Sequence, residues 1–292
     1  MTRLIVFSAA LICAGAAYGQ VLSHIDFEGQ TVGSAITSVS ENGNTWTGFA
    51  ATTGEMPIGS ADVPGPGIRT GSAPATLLSG DFSPGFGYLE TAAGAFDLST
   101  SDWTIECFVK FNDVGGFQTM LGRDKDPLQT GTAFADMYFE KHNDGYFMCQ
   151  LTTAVIDNGD GTFTYVDATA RSALLPQAGQ WYHVAAVYDG TARTLTLYVN
   201  GQQEAQVTDA DNIVPVTDPV GQLYSVGRGQ YNSNPVDSLN GQIDDLRITA
   251  AALTPAQMLV ASPCTVDLNG DGSADMFDML DFLAGYDAGG CN

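Results

Sequence analysis

Trp103-Thr104-Ile105-Glu106-Cys107-Phe108-Val109-Lys110-Phe111 decides the fold. Side chains along an extended chain point alternately to opposite faces, so Trp103, Ile105, Cys107, Val109 and Phe111 share one apolar face. Thr104, Glu106, Phe108 and Lys110 share the other. Working outward, the same period of two recurs in Ala133 to Glu140, Tyr146 to Thr152, Trp181 to Tyr188, Thr194 to Val199 and Gln242 to Thr249. Helical periodicity is nearly absent from Ile25 to Ile248. Asp189-Gly190 and Asn200-Gly201 are hairpin turns, the second leading into Gln202 to Val207, and Asp157-Asn158-Gly159-Asp160-Gly161 reads as a further turn because its oxygens lack calcium-loop spacing. Short alternating segments broken by Gly, Asn, Asp and Pro predict an all-β, two-sheet antiparallel sandwich.

Residues 1–19 read as a secretory signal: Arg3 is the positive start, Leu4 to Ala17 the apolar stretch, and Ala17-Tyr18-Gly19 the small-x-small site before Gln20. That stretch is shorter than the roughly 20 residues a membrane span requires. Cys13 raises a lipoprotein alternative, against which bulky Ile12 stands. A net charge of −23 with only ten Lys and Arg speaks against nucleic acid or an anionic membrane as partner. The charge suits extracellular surroundings, and 44% hydrophobic residues suffice for a full core.

The last residues carry the most specific chemistry. Asp267, Asn269, Asp271, Ser273, Asp275 and Asp278 stand at positions 1, 3, 5, 7, 9 and 12 of a twelve-residue stretch, with Gly272 at its sharp bend. Calcium is a hard cation that takes six to eight oxygens, and this spacing wraps them around one Ca2+. Met276 to Leu283 follows as an apolar helix that should bury against a partner or the sandwich. Once the signal is removed, Cys107, Cys149, Cys264 and Cys291 remain. Cys264 and Cys291 bracket the loop and helix, and a disulfide there would stabilise so small a module by ~3–4 kcal/mol. Cys107 and Cys149 are an open choice between a pair and two buried thiols.

The tail resembles a dockerin, the calcium module that attaches secreted proteins to surfaces or multienzyme assemblies; with one repeat instead of two it is closer to shortened, cysteine-flanked tails. The resemblance implies a cohesin-like or cell-surface docking partner. Trp103 to Phe111, Gly179 to Gly190, Leu197-Tyr198-Val199-Asn200-Gly201 and Leu239 to Ile248 resemble the laminin-G-like branch of the concanavalin A-like jelly rolls over roughly Phe86 to Met258, with a weaker match at His24-Ile25-Asp26-Phe27-Glu28. Thr254-Pro255 fits the closing helix this family often has. The division expected is a signal peptide at 1–19, a jelly roll at 20–262 and a calcium module at 263–292.

Catalytic patterns are sparse. The Glu-x-Asp-x-x-Glu run that hydrolases on this fold generally carry does not occur, and Asp244 and Asp245 alternate across a predicted strand, so they should not share a face and are expected to hold the sheet or its neighbouring loop. His183 reads as a hydrogen-bonded core or sheet-face residue, and no Gly-x-Ser-x-Gly elbow is found. Trp46, Phe86, Tyr88, Tyr224 and Tyr231, with Asn232 and Asn234, are candidate sugar platforms, while Trp103 and Trp181 read as core. Asp124, Asp126 and Asp136 crowd one loop as a possible second calcium site. The reading that follows is a secreted, non-catalytic adhesion protein binding an extracellular glycan or surface protein, with two alternatives: a glycoside hydrolase or lyase, and a structural surface protein without small ligand.

Overall fold

A computed structural model describes residues 19–260, except 42–43, 52–53, 66, 70–75, 84, 99–100, 125–134, 209–214, 216–222 and 232–233. The signal segment, the calcium loop with its helix, Cys264, Cys291 and Asp126 thus lie outside the described residues. Two antiparallel sheets of eight strands face each other. The first runs β14 (Gln202–Thr208), β13 (Thr194–Val199), β12 (Trp181–Asp189), β7 (Trp103–Phe111), β18 (Gly241–Ala250), β5 (Ser79–Asp81) and β4 (Ile58–Ser60), with β1 (Gln20–Ile25) also paired to β18. The second runs β11 (Phe163–Arg171), β10 (Phe147–Asp157), β9 (Ala135–Lys141), β8 (Gln118–Asp124), β15 (Leu223–Val226), β6 (Tyr88–Thr91), β3 (Asn44–Phe49) and β2 (Ser38–Glu41). A small hairpin, β16 (Gly229–Tyr231) with β17 (Asn234–Val236), completes the strands.

The core lies between the sheets where the alternation placed it. Trp103, Ile105, Cys107, Val109 and Phe111 are all fully buried and meet Phe139, Phe147, Cys149 and Leu151 from the second sheet. β12 lies against β7 in unbroken register from Trp181↔Lys110 to Tyr188↔Trp103. Cys107 and Cys149 are free buried thiols, with Cys107 Sγ 3.7 Å from Met120 Sδ. Asp157 to Gly161 does form the hairpin turn, with Asp157 opposite Phe163 and the Asp157 carboxylate accepting from Gly159 N–H at 2.8 Å. The weakly matching N-terminal stretch belongs fully to the sandwich, since β1 borders β18 and β2 and β3 extend the second sheet.

The outer face of the first sheet is covered over β7 and β12. After β18 the chain turns back across it as a strap, residues 251–260, in which Leu253, Met258 and Val260 pack on Ala185 and Val187. The expected closing helix is a single 3-10 turn, Pro255–Gln257; Thr254 caps it through the Gln257 side chain, and Met258 is already extended. Glu106, fully buried, pins the strap: it accepts from Leu259 N–H at 2.8 Å, Arg247 Nε at 2.8 Å and His183 Nε2 at 2.9 Å. Trp181 departs from its expected core position. It lies half-buried on this outer face, donating to Asp62 at 3.1 Å beneath Lys110.

Candidate functional site

The strap covers the centre of the first sheet's outer face, and the second sheet offers the longer polar face. The outer face of the second sheet carries one lateral row read directly from its register: Ser38, Thr47, Glu90, Ser225, Gly122, Tyr138, Gln150 and Thr169 are neighbours in turn across all eight strands. A shorter row beside it holds Thr119, Glu140, Met148 and Arg171. The rows are polar with interspersed rings, the composition that carbohydrate recognition draws on.

The β16–β17 hairpin lies across this face. The Tyr138 hydroxyl donates to the Gln230 carbonyl at 2.9 Å, and Thr119 N–H donates to the Asp237 carbonyl at 2.9 Å. At the hairpin end Tyr231 is 61% exposed. Gly229 suits this close approach, for a Cβ there would lie 3.0 Å from the Tyr138 ring and 3.2 Å from the Thr119 hydroxyl, so those side chains would have to give by a few tenths of an ångström.

Ring stacks flank the rows. On one side Phe49 stacks on Tyr88 with centroids 5.5 Å apart, and the Arg228 guanidinium lies 4.7 Å over Tyr88 while bound to Glu90. On the other, His142 stacks on Tyr146 at 4.6 Å, Phe117 meets His142 edge-on at 4.7 Å, and Arg171 lies 5.3 Å over Tyr146. Lys141 ties down the loop bearing Phe117 by donating to the Val114 carbonyl at 2.6 Å and to that of Gly116.

Beneath the hairpin, Glu140 is buried and accepts from the Thr119 hydroxyl at 3.2 Å. Burial first, then the nearby Asp237 charge, pushes its carboxyl up to about 8. Burial raises Asp237 as well, and that residue has a φ of 53°, a left-handed conformation costly without glycine. A carboxyl that stays protonated at neutral pH can donate a hydrogen bond or a proton.

The residues singled out in the sequence divide. Phe86, Tyr88 and Tyr231 reach the surface, Asn234 is exposed beside Tyr231, and Asn232 lies outside the described residues. Trp46 and Tyr224 do not, being 1% and 0% exposed within the core. Trp103 is core as expected, and His183 is a buried, hydrogen-bonded sheet-face residue. Of the crowded aspartates, Asp136 is buried and accepts from Arg123 Nε at 2.7 Å. Among the described residues no group of three His, Cys, Asp or Glu is placed to hold a metal. Sequence reasoning passed over Tyr138, Glu140, Asp237 and the His142 stack. Alternation in β9 does mark Tyr138 and Glu140 as sharing a polar face; nothing local marks Asp237 as their neighbour.

Asp244 and Asp245 correct an expectation. They were expected on opposite faces, yet both meet Arg69: it is bound to Asp245 and stands 3.6 Å from Asp244. A bulge between Asp244 and Arg247, with Asp245 at φ 47°, breaks the alternation. Asp245 also bonds His24 at 2.8 Å and Asp244 accepts from Thr76 at 2.8 Å, so the pair ties β1 and the Arg69 and Thr76 loops to β18, as a holding role requires. Burial, then the neighbouring Asp245, raises the Asp244 carboxyl above its usual range.

The profile of the concanavalin A-like lectin/glucanases superfamily, in its laminin-G type, matches residues 83–258. No curated protein matches the chain. Among solved structures, domain 4 of an extracellular GH43 arabinanase from Geobacillus stearothermophilus, in complex with arabinotriose, is similar at 18% identity and TM-score 0.49, covering 82% of this chain and 97% of that one. The CBM40 of the Ruminococcus gnavus IT-sialidase, bound to α2,3-sialyllactose, is similar at 15% identity and TM-score 0.43, over 55% of this chain and 82% of that one. A heptameric SAP-like pentraxin from Limulus polyphemus is similar at 17% identity and TM-score 0.38, over 58% and 72%.

Proposed function

This chain belongs to the concanavalin A-like lectin/glucanases superfamily, and from that premise we propose that its sandwich is a non-catalytic carbohydrate-binding module of a secreted protein. The observation that carries the reading is the outer face of the second sheet, where Ser38, Thr47, Glu90, Tyr138, Gln150 and Thr169 reach the surface along one row, flanked by Tyr88 and by exposed Tyr231. Sugar rings offer an apolar face to an aromatic ring and hydroxyls to polar side chains, so this surface suits them on both counts. Calorimetry against a panel of oligosaccharides tests it. Binding should appear and weaken at least tenfold in Tyr231→Ala or Tyr88→Ala; absence of binding across the panel would defeat the reading.

One observation favours a second reading, a hydrolase. Glu140 and Asp237 are neighbouring carboxyls that burial raises, the property a general acid in glycoside cleavage needs. Because Glu140 is 2% exposed beneath the β16–β17 hairpin, this reading requires the hairpin to lift. Release of reducing ends from a glycan, lost in Glu140→Gln, would establish it in place of simple binding.

For residues 263–292 the proposal rests on the sequence: Asp267, Asn269, Asp271, Ser273, Asp275 and Asp278 hold Ca2+, Cys264 pairs with Cys291, and the ordered tail docks the protein to a cohesin-like or cell-surface partner. A chain truncated before Cys264 should retain the sandwich but lose retention at the cell surface. Unchanged retention would remove the docking role.

A further inference from the structure

The cations of this acidic chain are mostly spoken for. Among the described residues, Arg69, Arg123, Arg228 and Arg247 each bind a carboxylate, Lys110 binds Asp62, and Lys141 caps backbone carbonyls. Arg171 differs. It is exposed, enters no ion pair among the described residues, and lies over the Tyr146 ring. With 33 acidic residues in the chain, a guanidinium that pairs with no described carboxylate is the unusual case.

Its position is built. Arg171, Tyr146, His142 and Phe117 form one continuous stack, ending in Phe117, which is 40% exposed. Asp144 N–H donates to His142 Nδ1 at 3.1 Å, which leaves the ring proton on Nε2 and turns a donor away from the turn. Burial, the first cause, lowers the His142 pKa and agrees with a neutral ring, although the Asp144 carboxylate stands 3.4 Å from Nδ1. On its other side Arg171 lines a cleft of about 340 Å³ along edge strand β11, with Thr153, Val166, Asp167, Thr169 and Val207. That volume is at the small end of ligand sites, the size of one or two sugar rings.

One carboxylate lines the same cleft, and it is engaged: Asp167 accepts from Thr152 at 2.9 Å and Gln150 at 3.2 Å. The guanidinium therefore has donors left for an incoming anion, while the Thr153 and Thr169 hydroxyls, which donate to the Val166 carbonyl and to Gln150, can still accept.

We propose that Arg171 and the cleft beside it form an acidic-sugar subsite, in which the guanidinium binds a carboxylate or sulfate on a saccharide ring and the Thr153 and Thr169 hydroxyls meet its hydroxyl groups. This rests on the carbohydrate-binding reading and names its ligand class. A planar fork suits either anion bidentately, whereas an ammonium would act as a point charge. The net charge of −23 opposes an anion at long range, but at 0.15 M salt the screening length is about 8 Å, so contact with Arg171 decides.

The test is calorimetry of the full chain at 0.15 M salt against uronate and sulfated oligosaccharides, each paired with its methyl-esterified or desulfated counterpart. Wild type should bind at least one acidic member tenfold or more tightly than its neutral counterpart. Arg171→Gln should abolish that preference, bringing the acidic member down to the affinity of its neutral counterpart, and Arg171→Lys should restore part of it. Equal affinity for both members of every pair, or a preference that survives Arg171→Gln, overturns the subsite and leaves carbohydrate binding standing. Binding to no glycan at all removes both.

Discussion

Replacing Glu106 by Ala should loosen the strap that closes the first sheet. The carboxylate is fully buried and accepts from Leu259 N–H, from Arg247 and from His183, whose Nδ1 has no partner of its own. Removing it leaves an imidazole and a backbone amide without their acceptor and the Arg247 guanidinium with only the Gln257 carbonyl, at 3.0 Å. Breaking a buried ion pair on one side costs about 3–5 kcal/mol. In a domain of this size each kcal/mol moves Tm by roughly 2–4 °C, so Tm should fall by about 6–20 °C. Leu259 and Leu253 amides should exchange faster than those of β7 and β12. The pH dependence supplies a sign. Burial raises the Glu106 carboxyl, but the His183 bond and charge, Arg247 and Leu259 N–H together outweigh it and leave it below its ordinary 4.5. Its stabilisation is thus complete above pH 4.5 and lost as pH falls through the lower folded value, so wild type and variant should converge in acid. A Tm change under about 2 °C at pH 7, or a gap that persists unchanged in strong acid, would refute the pinning role.

Glu140→Gln should behave in the opposite way. With the folded carboxyl near 8 and the ordinary value at 4.5, wild-type stability declines as pH rises between them, by at most about 1.4 kcal/mol per unit, and denaturant titrations from pH 5 to 9 should show the variant free of that slope. Gly241→Ala should destabilise severely, because its Cβ would fall 2.0 Å from the Lys110 carbonyl oxygen on the adjoining strand; soluble yield and Tm should both drop, and a wild-type Tm would contradict the close approach. Chelation should alter NMR signals from residues 264–291 and leave sandwich signals in place, and Asp267→Ala with Asp271→Ala should abolish metal uptake by the tail.

Strand alternation was legible wherever both faces of a strand are read by local neighbours, as in β7 and β12, whose pairing runs without a break. It failed at Asp244 and Asp245, where the deciding contact, Arg69, is 176 residues from Asp245 and the backbone enters a left-handed conformation without a glycine to mark it. Trp181 misled for a related reason: its motif is a core strand, but its own side chain takes the other face. The tail remains a matter of spacing alone.

Glu106 and Glu140 show what pattern cannot supply. Each is a glutamate on the face of a strand turned away from the core, each has an apolar neighbour before it, and each is buried. Nothing in their local sequence separates them. In the fold, the strap closes over Glu106 and brings it donors from His183, Arg247 and Leu259, so its carboxyl is held ionised. The β16–β17 hairpin closes over Glu140 and brings Asp237, so its carboxyl is pushed up to about 8. One cover supplies partners for a negative charge and makes a structural pin; the other opposes that charge and leaves a protonated acid beside a polar face. The difference lies in which distant segment folds back over which sheet.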